Sequence, residues 1–198
     1  MATVVVQAVA SLDGFIARPD DLPGPVFDWY EAGDVEVAPG DTERPFHVSR
    51  PSADYVMDTW PRIRCLVIGR HMFDFVDGWS GRPAAGEHVF VVTHRDASEW
   101  QGRYPDAPCT FCPDVIEDAV RRAKELAGEG IVGVTAGEVG GQAVAAGVAD
   151  EVALDLAPVF LGQGKRFLGS LTDEIVLDDP HVVVQGERVL HLRYAVRR

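Results

Sequence analysis

The residues able to do chemistry in this sequence collect just behind its apolar runs. "ASLDGFIA" (10–17) sets Asp13 and Gly14 between two apolar pairs, and "GRHMFDF" (69–75) opens with Gly69, Arg70 and His71. A third run ends in Thr93, His94 and Arg95, and a fourth leads into "TAGEVGGQA" (135–143). A glycine lets backbone approach a ligand closely, and a strand-to-helix turn leaves N–H groups without helical partners, so such turns can receive phosphate oxygens. Arg70, His71, His94 and Arg95 add cations to a chain whose formal net charge is −13. One glycine after a strand is only a turn. Recurrence at four successive run ends points to a phosphate-bearing ligand. Neither G-x-G-x-x-G after the first run nor G-x-x-x-x-G-K-[ST] occurs.

Other chemistry is poorly supported. Cys65, Cys109 and Cys112 are the three cysteines, and the C-x-x-C of the last two has no second Cys or His pair to complete a zinc site. They read as small buried hydrophobes, and no metal is expected. The acidic balance argues against nucleic acid or an anionic membrane surface as partner. No run approaches ~18 apolar residues, and no basic segment with an apolar stretch and cleavage site opens the sequence, so a cytoplasmic protein acting on a small molecule is expected.

The elements that must position these residues follow from hydrophobic pattern. Near-continuous apolar runs at 3–9, 64–69, 88–93, 131–136 and 151–158 read as strands covered on both faces. Between them, 114–128 reads as a helix, with Asp114 and Glu117 at capping-box spacing and Ile116, Ala119, Val120, Ala123 and Leu126 on one face. Further helices are expected over 138–147 and 52–60. The alternation predicts an α/β domain over 1–198: three layers, a mostly parallel twisted sheet flanked by helices. Residues 181–196 read as a closing antiparallel hairpin turning at Gly186. Residues 18–50, with five prolines, read as a long surface excursion.

With "ASLDGFIA", "VIGRHMFDF", "VVTHR" and "ADEVALDLAPVFLGQGKRFLG" (149–169) side by side, the chain resembles the dihydrofolate reductase superfamily. The likeness is to the branch holding the reductase domain of the bifunctional riboflavin-biosynthesis deaminase/reductase. It implies a dihydrofolate reductase-like fold binding NADPH at the carboxyl edge of the sheet, and a small heterocyclic or carbonyl/imine substrate, pteridine- or pyrimidine-like. It also implies Val9, Ala10 and Ile16 at the nicotinamide and Gly69, Arg70, His71 and Met72 at the cofactor phosphates. Thr93, His94 and Arg95 match the segment holding the adenosine 2′-phosphate, which would favour NADPH over NADH.

Two departures stand out. The family's Gly-Gly pair falls on Thr135 and Ala136, which leaves Gly137, Glu138, Val139 and Gly140 as the phosphate-facing helix start, with a carboxylate among them. No proton donor is identified: Asp28, Asp54 and Asp58 are candidates by region only, and Asp13 is either a substrate contact or the residue shaping the bend before Gly14. Phe15 and Ile16 then fold back as a cover on the pocket. Trp29 and Tyr55 are candidate walls for a planar substrate. The alternative is a reductase-like fold that has lost catalysis and serves as a ligand-binding or scaffold protein. Related reductase domains pair, so a homodimer through the C-terminal hairpin is expected.

Overall fold

A computed structural model describes residues 1–38, 45–113 and 115–197. In chain order the elements are β1 (Thr3–Ser11), β2 (Phe15–Ala17), β3 (Val35–Val37), β4 (Phe46–Val48), α1 (Arg50–Thr59), β5 (Ile63–Gly69) and α2 (Arg70–Phe75). There follow β6 (His88–Val92), α3 (Ser98–Arg103), β7 (Cys109–Cys112), α4 (Ile116–Ala127), β8 (Ile131–Thr135) and α5 (Glu138–Ala145). The chain closes with β9 (Glu151–Ala157), β10 (Lys165–Arg166), β11 (Val182–Gln185) and β12 (Leu190–Ala195).

Eight strands form one sheet in the order β11-β12-β9-β1-β8-β5-β6-β7. The six from β9 to β7 run parallel, and the β11–β12 hairpin adds to β9 antiparallel. β1 lies at the centre, and its apolar stretch is covered on both faces: Val4, Val5 and Val6 are all at most 1% exposed. Val4 and Val6 pack under α4 and α5, while Val5 and Val9 face the side carrying α1, α2 and α3. That is the expected three-layer α/β arrangement.

Several local expectations shift. On α4, Ala127 is buried and Leu126 is exposed, so the apolar stripe ends one residue later than the sequence suggested. Asp114 of the proposed capping box lies outside the described residues. Residues 18–50 are not merely a surface excursion: within their described part, Pro25 opens a 3-10 turn (Gly24–Glu31) that buries Val26 and Trp29 against α1. Two residues three apart share a face of a three-residue turn, which the helical and strand periods do not detect. The C-x-x-C forms β7, where residues three apart point to opposite faces: Cys112 joins the core under α4, and Cys109 packs on the other side. Burial pushes the Cys109 thiol up to about 12, and no metal-binding cluster occurs among the described residues.

The visible Gly140-Gly141 pair lets α5 lie flush on its neighbours. A Cβ at Gly140 would stand 2.9 Å from Val6 Cγ1, and one at Gly141 would stand 2.2 Å from the Leu168 carbonyl oxygen. Gly141→Ala should therefore destabilise the protein by ~1–3 kcal/mol through overpacking against backbone. Gly102→Ala in α3, where nothing lies within 4 Å, should be neutral or add up to ~1 kcal/mol. Urea unfolding of the two variants checks the contrast.

Candidate functional site

The parallel strands bring the ends of β1, β5, β6 and β8 to one edge, where a ligand of an open α/β sheet is expected. At the end of β1, Asp13 proves to be a structural clamp. Its carboxylate accepts from the amides of Leu161 (3.1 Å) and Gly162 (2.7 Å) and from Ser11 Oγ (2.5 Å), whose oxygen accepts from the Phe15 amide. Gly14 then turns with φ +83°, and Phe15–Ala17 return as β2, paired with β10. These hydrogen bonds, that from Ser11 foremost, hold the Asp13 carboxyl below its ordinary value.

The turns after β5 and β8 meet. Ile16 Cδ1 lies 3.8 Å from where a Cβ of Gly137 would stand, and a Cβ on Gly69 would stand 2.9 Å from Val139 Cγ2. Gly137, at φ +89°, is the backbone cap before α5. Glu138 is turned onto the 167–171 segment, where its carboxylate accepts from Ser170 Oγ at 2.6 Å. Gly140 is buried against β1 and so serves packing.

The cations are already partnered. Arg70 donates Nε to Asp74 (2.6 Å) and one terminal nitrogen to the carbonyls of Arg95 (3.2 Å) and Asp96 (2.8 Å). Arg95 also reaches Asp74, at 2.9 Å. Thr93 is buried, its hydroxyl accepting from the Arg95 amide, while His94 and Met72 are exposed. His71 Nε2 lies 2.9 Å from Asp21, whose other cation is Lys165 at 3.3 Å. The bond from His71 lowers the Asp21 carboxyl below its ordinary value.

On the α1 face, β9 carries a group the sequence reading missed. Asp155 pairs with Val9 in register across β1 and β9, and with His191 across β9 and β12. His191 Nδ1 donates to the Asp155 carboxylate at 2.6 Å, and Nε2 is hydrogen-bonded to Ser52 Oγ at 2.9 Å. Ser, His and Asp in this order are the types of a nucleophilic triad, but Ser52 and His191 have no exposed surface. No substrate reaches the hydroxyl, so the chain of bonds is an anchor that fixes α1 to the sheet and orients Asp155. The Asp155 side chain retains 22% exposure. Burial, and then the Asp155 charge, raises both Tyr30 and Tyr55.

No protein-family model matches the chain, and no curated protein sequence matches it. The strand order with its antiparallel C-terminal hairpin does have counterparts among solved structures. Over its whole length the chain is similar to a protein from Shewanella sp. PV-4 described as a riboflavin biosynthesis protein, with TM-score 0.66, 18% identity and full coverage of that chain. The chain has a dihydrofolate reductase-like fold. Dihydrofolate reductase from Enterococcus faecalis complexed with NADP(H) matches over 99% of this chain and 97% of its own, with TM-score 0.55 and 18% identity. The diaminohydroxyphosphoribosylaminopyrimidine deaminase/5-amino-6-(5-phosphoribosylamino)uracil reductase from Thermotoga maritima matches 99% of this chain at TM-score 0.62 and 11% identity, with 57% of that chain covered.

Within this dihydrofolate reductase-like fold, the remaining substrate candidates sort themselves. Asp28 pairs with Arg188, Asp54 with Arg50, and Asp58 is exposed on α1. Trp29 is 1% exposed, stacked on Tyr30 and edge-on to His191, which leaves no ring face for a planar ligand. Its indole N–H has no hydrogen-bond partner among the described residues. Tyr55 is half-buried and lies over His191. Asp155 was legible as a single carboxylate on the apolar alternation Ala153, Asp155, Ala157.

The Asp13 clamp has a pH signature. Its folded-state pKa lies below 3.8, so its contribution is whole above that value and is lost as pH falls through the lower, folded pKa. Asp13→Ala should remove hydrogen-exchange protection of the Leu161 and Gly162 amides at neutral pH, while those of β1 stay protected. In the wild type the same two amides should lose protection only below that window.

Proposed function

We propose that this protein is a reductase that uses NADPH to reduce a small heterocyclic or carbonyl/imine compound, pteridine- or pyrimidine-like in shape. The observation that supports this best is the register of Val9 with Asp155, which sets a partly exposed carboxylate beside the strand end that the family resemblance assigns to the nicotinamide. A hydride acceptor at this edge therefore has a titratable oxygen next to it.

The residues of the edge fit the cofactor. The turns at Gly69 and Gly137 abut, the Gly137 amide is held by the Phe167 carbonyl, and Glu138 is drawn aside by Ser170. Gly69, Arg70 and His71 with Gly137 and Val139 would hold the phosphates, and Thr93 and Arg95 the 2′-phosphate. Bound NADPH supplies the hydride. Val9 and Ile16 shape the apolar nicotinamide end, and β2 with the Asp13-clamped segment excludes water from it. Asp155 would orient the acceptor by its carboxylate, and the proton taken up by the acceptor's heteroatom would come from solvent relayed past that oxygen, with His191 fixing the direction of the carboxyl group.

Titrating NADPH while following the fluorescence of the four tryptophans should give saturation in the micromolar range, with NADH weaker. Arg95→Ala should erase the preference between the two. Absence of saturation with either nucleotide rejects the reductase and favours a ligand-binding or scaffold role.

The same reading includes a homodimer through the sheet edge at β11, where Val183 is 59% exposed. Arg193 is not available to such an interface, being buried on Glu151. Sedimentation velocity over a hundredfold range of concentration should show a dimer; one monomeric species throughout rejects it.

A further inference from the structure

We propose that Asp74 sets how strongly this protein discriminates between phosphorylated and unphosphorylated adenosine at its nucleotide site. The inference rests on the cofactor reading above. Asp74 stands four residues after Arg70 on α2, so one helical turn brings its carboxylate beneath the Arg70 guanidinium. Its two oxygens are divided between two arginines from different strand ends: Oδ1 takes Arg70 Nε at 2.6 Å, and Oδ2 takes Arg95 at 2.9 Å.

The two pairs are unequal. Arg70 is 17% exposed in its side chain and is held further by the carbonyls of Arg95 and Asp96, so it is locked in place and braces the turn after β6. Arg95 is 62% exposed and can leave. Asp74 itself is 41% exposed, so its charge faces whatever Arg95 faces. A 2′-phosphate reaching Arg95 therefore meets a guanidinium already neutralised, with a carboxylate behind it that repels the incoming dianion. The ligand must break one ion pair to form another. An adenosine without that phosphate meets this carboxylate only through Arg70, which stays locked in place, so Asp74 lowers affinity most for the 2′-phosphorylated class.

Asp74→Asn tests this with little change of shape, because the amide oxygen still accepts from Arg70 Nε while the charge on Arg95 is released. The probes are 2′,5′-ADP and 5′-AMP, titrated by calorimetry against the intact protein, with thermal melting to confirm that the variant is folded. The variant should bind 2′,5′-ADP about fivefold to tenfold more tightly than the wild type does, the order expected from freeing one charge-assisted contact near a surface. Its affinity for 5′-AMP should rise much less, because Arg70, which loses the same charge, stays held by the Arg95 and Asp96 carbonyls. The gain should vanish when Arg95→Ala is added, and shrink in high salt. If Asp74→Asn leaves both affinities unchanged, or shifts both alike, the assignment of Asp74 is wrong while the nucleotide site stands. If neither nucleotide binds to wild type or variant, the cofactor reading itself fails, and this inference with it.

Discussion

The structure depends on one constraint: β1 is walled by strands on both sides and by helices on both faces, so its middle is almost wholly apolar, with Gln7 the one polar exception. Val4, Val5 and Val6 satisfy this by having nothing polar to place. The five strands parallel to β1 or to its neighbours obey the same rule, and because they run the same way their ends share one edge. Polarity that the core rejects is thereby concentrated along a single line. Ser11, Asp13, Arg70, Thr93, Arg95 and Glu138 all lie on it or within a few residues of it.

Concentrating charge in this way creates its own difficulty, since unpaired ions crowded at one edge would repel or remain unsatisfied. The edge resolves this by local pairing between neighbouring strand ends: Asp13 with the amides after β9, Asp21 with His71 and Lys165, Asp74 with Arg70 and Arg95, and Glu138 with Ser170. Most of these pairings span segments distant in sequence, and each that does also serves as a tie across the edge. The edge is thus largely self-neutralised by pairs of its own residues. Exposed pairs of this kind contribute little to stability, so they are well suited to exchange with a ligand.

How much of this was legible follows from the range of each interaction. Long apolar runs and the helix at α4 announce themselves through period, because burial against both faces or one face acts on residues a few positions apart. The strand ends were legible for the same reason, being simply where the runs stop. Pairings were not: Asp13 reaches Gly162 across 149 positions, and His191 reaches Ser52 across 139, distances over which sequence pattern carries no signal. Asp13 therefore read equally as a substrate contact and as a turn residue, and the structure gives it a third task, holding a distant loop. Trp29 read either as core packing or as a wall for a planar substrate, and the 3-10 turn that carries it inward makes it core.

Asp155 shows the physical cost of placing a carboxylate on a covered sheet face. An isolated charge there would be expensive, and the fold offsets this with His191 directly across the strand pair and Ser52 beyond it. A position needed only for packing would carry an apolar side chain, as the flanking positions on the same face of β9 do with Ala153 and Ala157. Retaining a carboxylate with residual exposure, anchored through a buried imidazole whose second nitrogen is itself tied to a buried hydroxyl, is the arrangement of a side chain held in a fixed direction. The direction it is held in is that of the sheet face that Val9 shares.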